Sequence, residues 1–345
     1  MKYLFKGILP CLSFRANPHR KRIIWSALLL VWSLMYTSCR GGKLPASDQK
    51  QLKNKVVLIT GASSGFGKGT ALRLGSYGAT VVICARNEVL IQEVADSVRK
   101  LGGKAIAMAL DVSDLKAFAR LRDTALSVYG RIDIWINNAG IASIGAFTDV
   151  PLEEHVRVDQ VNYLGVLYGS YMASELFQQQ KYGTLINLGS VESEIPVAYQ
   201  TSYSASKAAV RSLTEAIRQE FRLSGLKEVR VVTIMPWASN TPLWYHLGNH
   251  SGGTVSMFAM DKPERIINAI VYSCMRGKGD YPVGWKAKIA VQGHRMFPRL
   301  TRRWSSGIIR KYQYKAPPLR PPSSGNLFES EHELSEIEME PPKHE

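Results

Sequence analysis

The run Val56-Val57-Leu58-Ile59-Thr60 passes without a break into Gly61-Ala62-Ser63-Ser64-Gly65-Phe66-Gly67, and a helical stretch continues from there through Leu74. A β-branched strand that ends in a glycine-rich turn and re-enters as a helix opens a β-α-β unit. The turn brings backbone N–H groups to the helix N-terminus, where a pyrophosphate can be held. Glycine is needed where backbone must approach a ligand with no Cβ in the way. The spacing G-x-x-x-G-x-G departs from the commoner G-x-G-x-x-G, so the turn alone also reads as loop chemistry. Its position directly after a strand weighs for the phosphate.

The chain then keeps alternating. Strands are expected at Thr80–Cys84, Ala105–Leu110, Ile132–Ile136, Thr184–Leu188 and Val229–Met235. Helices are expected near Glu88–Leu101, Asp114 to Tyr129, 153–178 and Tyr203 to Ser224. Repeated β-α units of this length give the α/β class, a Rossmann-like doubly wound parallel sheet with helices on both faces. Four domains or segments follow from composition: a basic N-terminal segment, 1–50; a catalytic domain, 51–285; a basic amphipathic segment, 286–315; and a tail, 316–345, Pro-rich and then acidic, which reads as disordered.

The net charge of +16 sits on the flanks. Residues 1–50 hold nine Lys/Arg against one Asp, residues 281–315 nine against none, and residues 316–345 two against seven acids. The core is nearly balanced and carries no recognition element for nucleic acid, so no nucleic-acid partner is expected. A membrane surface suits basic flanks better. Ile23–Tyr36 is apolar between Arg20-Lys21-Arg22 and Arg40, yet short of a full span. It reads as an anchor, as the core of a signal segment ending in a lipoprotein-like Tyr36–Cys39, or as the result of a wrongly assigned start. The segment 284–313 is either a basic amphipathic stretch on a membrane or a helix covering the substrate pocket. Four scattered cysteines and a loop pair, His246 and His250, give no disulfide framework and no metal site.

The densest chemistry lies at Ser190, Tyr203 and Lys207. Tyr203 and Lys207 are i and i+4, so on a helix they share a face. A phenol with pKa about 10 gives up its proton poorly, and a nearby ammonium lowers that value. Ser190, at a strand end thirteen residues earlier, can donate a hydrogen bond to a carbonyl oxygen that gains charge. At the end of the second strand, Cys84-Ala85-Arg86-Asn87 offers Arg86 where an NAD site would hold a carboxylate. A guanidinium there suits a 2′-phosphate. NADP(H) is therefore expected ahead of NAD(H).

Over roughly residues 53–285 the chain resembles the short-chain dehydrogenase/reductase family. Thr60–Gly67 matches TGxxxGxG, Asn137-Asn138-Ala139-Gly140 matches NNAG, and Tyr203–Lys207 matches YxxxK. The resemblance implies cofactor contacts from Gly61, Ser63, Ser64, Gly65, Phe66 and Gly67. Further contacts are implied from Asp111, Val112, Asn138, Ala139 and Gly140, and from Pro236 and Thr241. It makes Tyr203 the general acid/base and gives Lys207 a hold on the nicotinamide ribose. It makes Asn162 the residue that positions a water for proton relay. One position departs: Trp237 stands where the family usually has glycine, and is expected to form an apolar wall beside the ring or substrate. The stretch 240–262, with Trp244, Tyr245, His246, Met257, Phe258 and Met260, suggests an apolar carbonyl or alcohol substrate, lipid-like compounds included. The supply of NADP(H) puts the catalytic domain on the cytosolic side of a membrane or free in the cytoplasm. Assembly into a homo-oligomer is left open.

Overall fold

The computed structural model describes residues 44–257 and 259–329. The apolar N-terminal run, Phe258 and the acidic residues 330–345 lie outside the described residues, with the expectations placed on them. In chain order the elements are α1 (Ala46–Leu52), β1 (Val56–Thr60), α2 (Gly65–Ser76), β2 (Thr80–Ala85), α3 (Glu88–Lys100), β3 (Lys104–Ala109), α4 (Leu115–Tyr129), β4 (Ile134–Asn137), β5 (Ser143–Gly145) and α5 (Leu152–Asp159). A π-turn, Gln160–Leu164, leads into α6 (Gly165–Gln180), β6 (Gly183–Leu188), a 3₁₀ turn at Val191–Ser193 and α7 (Thr201–Leu223). There follow β7 (Val229–Met235), α8 (Leu243–His246), β8 (Gly248–His250), α9 (Pro263–Arg276), β9 (Gly279–Pro282), α10 (Gly284–Met296) and α11 (Pro298–Gln313).

Seven parallel strands form one sheet in the order β3-β2-β1-β4-β6-β7-β9. Successive residues of a strand point to opposite faces, and the burial follows that period. Val57, Ile59, Val81 and Ile83 pack with α2, α3 and α9, while Val56, Leu58, Val82 and Cys84 pack with α4, α6 and α7. A sheet covered on both faces needs apolar residues at every position, which is why β1 and β2 read as unbroken apolar runs. Local caps fix the helix starts. Asn87 accepts from the Leu90 N–H at 3.0 Å, and Asp114 from those of Lys116 and Ala117 at 2.9 and 3.1 Å.

The chain winds outward from β1 to β3 and then returns to lay β4 on the other side of β1. Between the C-terminal ends of β1 and β4 the connections diverge, and that crevice is where open α/β sheets bind ligands. A second, two-stranded parallel sheet, β5 with β8, ties the loop after β4 to the stretch after β7. Residues 316–329 differ from the expected disordered tail. Leu327 is fully buried, and Ser323 exchanges backbone hydrogen bonds with Asn249 at 2.7 and 3.0 Å. Specific bonds to distant residues hold a segment whose composition alone lacks a core.

Candidate active site

One cavity of about 1170 Å³ opens over the C-terminal strand ends. That volume exceeds the few hundred to about 1,000 Å³ of an ordinary ligand pocket, which leaves room for a dinucleotide with a substrate beside it. Nearly all the residues singled out in the sequence line it: Gly61, Ser63, Ser64, Gly65 and Phe66; Arg86; Asp111 and Val112; Asn138, Ala139 and Gly140; Ser190; Tyr203 and Lys207; Pro236 and Thr241. Gly67 and Asn162 stand behind its wall.

The glycine turn is built for close approach. Gly61 has φ +64° and Gly65 φ +53°, values that L side chains rarely adopt. Ser64 precedes α2 without a side-chain cap, so the first-turn N–H groups of Gly65, Phe66 and Gly67 have no partner within the helix. Asn138 clasps the turn to β4: its Nδ2 donates to the carbonyls of Thr60 and Gly61, each at 2.9 Å, and its N–H donates to Thr60 Oγ1 at 3.0 Å. A pyrophosphate at the end of α2 fits this donor set.

At the far end of the cavity Arg86 and Asp111 come together with three residues that the sequence reading missed. Arg157, from α5, pairs with Asp111 and donates to Ser113 Oγ at 2.9 Å. Burial works upward on Asp111, but Arg157 and the Ser113 bonds hold its carboxyl below the usual range. Arg86 donates through its two terminal nitrogens to the carbonyls of Asn326 and Leu327. Nothing in the spacing of Arg157, Asn326 or Leu327 marks them; only the fold brings them here.

Ser190 caps the 3₁₀ turn, its Oγ accepting from the Glu192 N–H at 3.1 Å. Lys207 is buried, its Nζ 2.7 Å from the Leu188 carbonyl and 5.6 Å from the centre of the Tyr203 ring. Glu192, also missed, lines the same cavity and accepts from Ser204 Oγ at 2.5 Å. An acid two residues after the strand-end serine was the signal available. Burial raises Glu192 to about 8, against the Ser204 bond and Lys207. Burial likewise lowers Lys207 to about 8, against Glu192. Tyr203 is pushed well up, by burial first and the Glu192 charge second, with the Ser190 bond acting the other way. The phenol is therefore protonated at neutral pH, whereas the sequence reading had Lys207 lowering it.

Asn162 is fully buried within the π-turn. Its Oδ1 accepts the Ile141 N–H at 2.8 Å, and its Nδ2 donates to the Ile141 carbonyl at 2.9 Å and to Ser206 Oγ at 3.2 Å. Both amide hydrogens are thus spent on protein, and the residue holds the loop after β4 against α7. Trp237 lines the cavity and packs against Val191, Ile195, Met235, Ala287 and Val291. The helix α11 adds Thr301, Trp304, Ser305, Ile308 and Ile309 to the wall. Its last turn is anchored by Gln200 Nε2 donating to Gln313 Oε1 at 2.7 Å. His250 lies on β8 and His246 at the end of α8. His250 meets the buried Glu154 at 2.8 Å.

A family model described as short chain dehydrogenase matches residues 55–251. An uncharacterized oxidoreductase YxnA of Bacillus subtilis (strain 168) is 32% identical over 284 residues, 81% of this chain and 80% of its own. A 3beta-hydroxysteroid dehydrogenase 1 of Eggerthella lenta is 39% identical over 194 residues, 56% of this chain and 73% of its own. Among solved structures, a short-chain type dehydrogenase/reductase from Mycobacterium marinum superposes with TM-score 0.60 at 32% identity, covering 69% of this chain and 96% of that one. A 3-ketoacyl-(acyl-carrier-protein) reductase from Brucella melitensis, complexed with NADH, superposes with TM-score 0.59 at 31% identity over 67% and 96%.

Proposed function

The chain belongs to the short chain dehydrogenase family, and from that membership we propose that it is an NADP(H)-dependent reductase of an apolar carbonyl compound. The family's general activity is oxidoreduction between an alcohol and a carbonyl with a nicotinamide cofactor, which supplies or accepts the hydride. The observation that carries the finer reading is the convergence of Ser190, Tyr203 and Lys207 on a cavity floored by the glycine turn.

Ser190 Oγ donates a hydrogen bond to the substrate oxygen as charge develops on it. Tyr203 gives its proton to that oxygen. The phenol is protonated at neutral pH, the form from which it can donate, although burial makes it a weaker acid than a free tyrosine. Lys207 sits one helical turn away, stabilises the phenolate left behind and reaches the ribose side of the cleft. Gly61 to Gly67 hold the pyrophosphate, Asp111 and Val112 border the adenine, and Asn138, Ala139 and Gly140 close the cleft beside β4. Pro236 and Thr241 flank the nicotinamide end, where Trp237 supplies an apolar wall. Asn162 positions the loop at Ile141 behind Tyr203 and Lys207.

Arg86 at the end of β2, with no acid beside it in sequence, supports a 2′-phosphate. The NADH complex of the Brucella relative favours NAD(H) as the second reading. Trp237, Trp244, Met257 and Trp304 in the wall support an apolar substrate, in keeping with the hydroxysteroid named for the Eggerthella relative. A panel of apolar carbonyl compounds, followed by nicotinamide absorbance with NADPH and NADH, tests the assignment. NADPH-preferring turnover that Arg86→Ala abolishes is expected; equal use of both cofactors returns the assignment to NAD(H).

Among the described residues no helix is long and apolar enough to cross a membrane. The helices α10 and α11 and the residue between them nonetheless expose Trp285, Met296, Phe297, Leu300 and Trp304, and residues 284–313 carry eight Lys/Arg and no acid. Apolar side chains set among cations suit an anionic bilayer surface. Peripheral attachment on the cytosolic face predicts co-sedimentation with phosphatidylserine vesicles but not with phosphatidylcholine ones. Binding to neither leaves the soluble cytoplasmic alternative.

A further inference from the structure

Beyond α11 the chain turns back over the adenosine end of the cleft. Ser323 pairs with Asn249 through backbone bonds, Ser324 Oγ donates to Glu154 Oε1 at 2.7 Å, and the Asn326 N–H donates to the His246 carbonyl at 2.9 Å. The Leu327 side chain is completely buried, and Asn326 lines the cavity. The next two carbonyls meet the arginines. Asn326 O and Leu327 O each accept from a terminal nitrogen of Arg86, and Leu327 O also accepts from Arg157 Nε at 3.0 Å.

We propose that residues 323–327 form a strap whose main-chain carbonyls position Arg86 for the cofactor's 2′-phosphate, making this segment part of the cofactor-selectivity machinery. The proposal rests on the NADP(H) reading and extends it. A guanidinium has five N–H donors. The strap engages two, so three remain for a phosphate, on a side chain whose orientation is already set. A long cation ordered in advance loses less freedom when the ligand arrives. The charges agree: Asp111 pairs with Arg157 rather than with Arg86, and the two guanidiniums repel one another, a local excess of positive charge. Uncharged carbonyls orient Arg86 without cancelling that excess, as a carboxylate would.

The strap crosses the loop after α8 at Gly325, where φ is +51° and a Cβ would lie 2.5 Å from the His246 carbonyl oxygen. Alanine there must push the strap off its seat, and Leu327→Ala removes its anchor. Both are made in the full chain, with Phe328→Ala, a half-exposed neighbour, as control and Arg86→Ala as reference. Dissociation constants for NADPH and NADH, and for 2′-AMP against 5′-AMP, are measured by calorimetry beside melting temperature. Both strap variants are expected to weaken NADPH and 2′-AMP about tenfold, the scale of one charge-assisted hydrogen bond. NADH and 5′-AMP hold their affinity, as does Phe328→Ala for all four. If Arg86→Ala removes the NADPH preference and the strap variants keep it, the strap proposal falls and the cofactor reading stands. Tighter NADPH binding in the strap variants makes the strap a competitor and overturns the proposal too. A wild-type protein without NADPH preference overturns both.

Discussion

Gly67 tests whether the glycine turn is the mechanical centre of the cofactor end. A Cβ at this position would fall inside the van der Waals envelope of the Gly61 carbonyl oxygen, 2.6 Å from Asn138 Nδ2 and 2.9 Å from Ala62 Cα. Two of those neighbours are backbone, and the third is held by its bonds to Thr60 and Gly61, so no flexible side chain can yield. Comfortable separation is about 3.5 Å or more, so α2 must move off the turn by about 0.5–1 Å. Overpacking of this kind costs about 1–3 kcal/mol, and each strained Asn138 bond about 1 kcal/mol more. Gly67→Ala should therefore cost about 3–5 kcal/mol, which lowers Tm by on the order of 10 °C in a domain of this size. Its helix N-terminus, displaced by up to an ångström, should lose about a hundredfold in kcat/KM. Gly307→Ala is the control: nothing lies within 4 Å of its Cβ position, so it should be neutral or stabilising by about 0.5–1 kcal/mol. Differential scanning fluorimetry with and without NADPH, plus steady-state kinetics, reads both effects. A Gly67→Ala protein with unchanged Tm and kinetics refutes the packing argument.

Glu192→Gln removes the negative charge that helps hold Tyr203 high, so the pH limb that reports the phenol in alcohol oxidation should move to lower pH; an upward or absent shift contradicts this. Because Glu192 is raised from 4.5 to about 8, the wild type should lose stability relative to Glu192→Gln as pH rises between those values, measured as Tm against pH. Trp237→Gly should lower Tm by several degrees, since it empties the site against Val191, Ile195 and Met235, and should raise KM for apolar carbonyls. Unchanged Tm and turnover across several substrates count against the wall.

What was legible in the sequence followed from strict local rules. The β1 run, the glycine turn and α2 stand where strand period and glycine chemistry put them, and β7 spans Val229–Met235 in both readings. Other features depend on partners far along the chain. Gly279-Asp280-Tyr281-Pro282 has poor strand propensity and becomes β9 only because β7 offers it an open edge. The π-turn around Asn162 carries no composition signature, and its bonds to Ile141 and Ser206 form only once the chain has folded. The strap looks like a Pro-rich tail because its order is borrowed from Arg86, Glu154, His246 and Asn249. Glu192 was in plain view, but the burial that makes it a titrating partner of Lys207 is a property of the packed site.

Carbonyl reduction by Tyr203→Phe, measured beside NADPH affinity in the same preparation, bears most directly on the catalytic assignment. With Tyr203 as the proton donor, affinity is retained while kcat falls by about a hundredfold or more. A variant that binds NADPH and reduces carbonyls at the wild-type rate would mean that the proton comes from elsewhere.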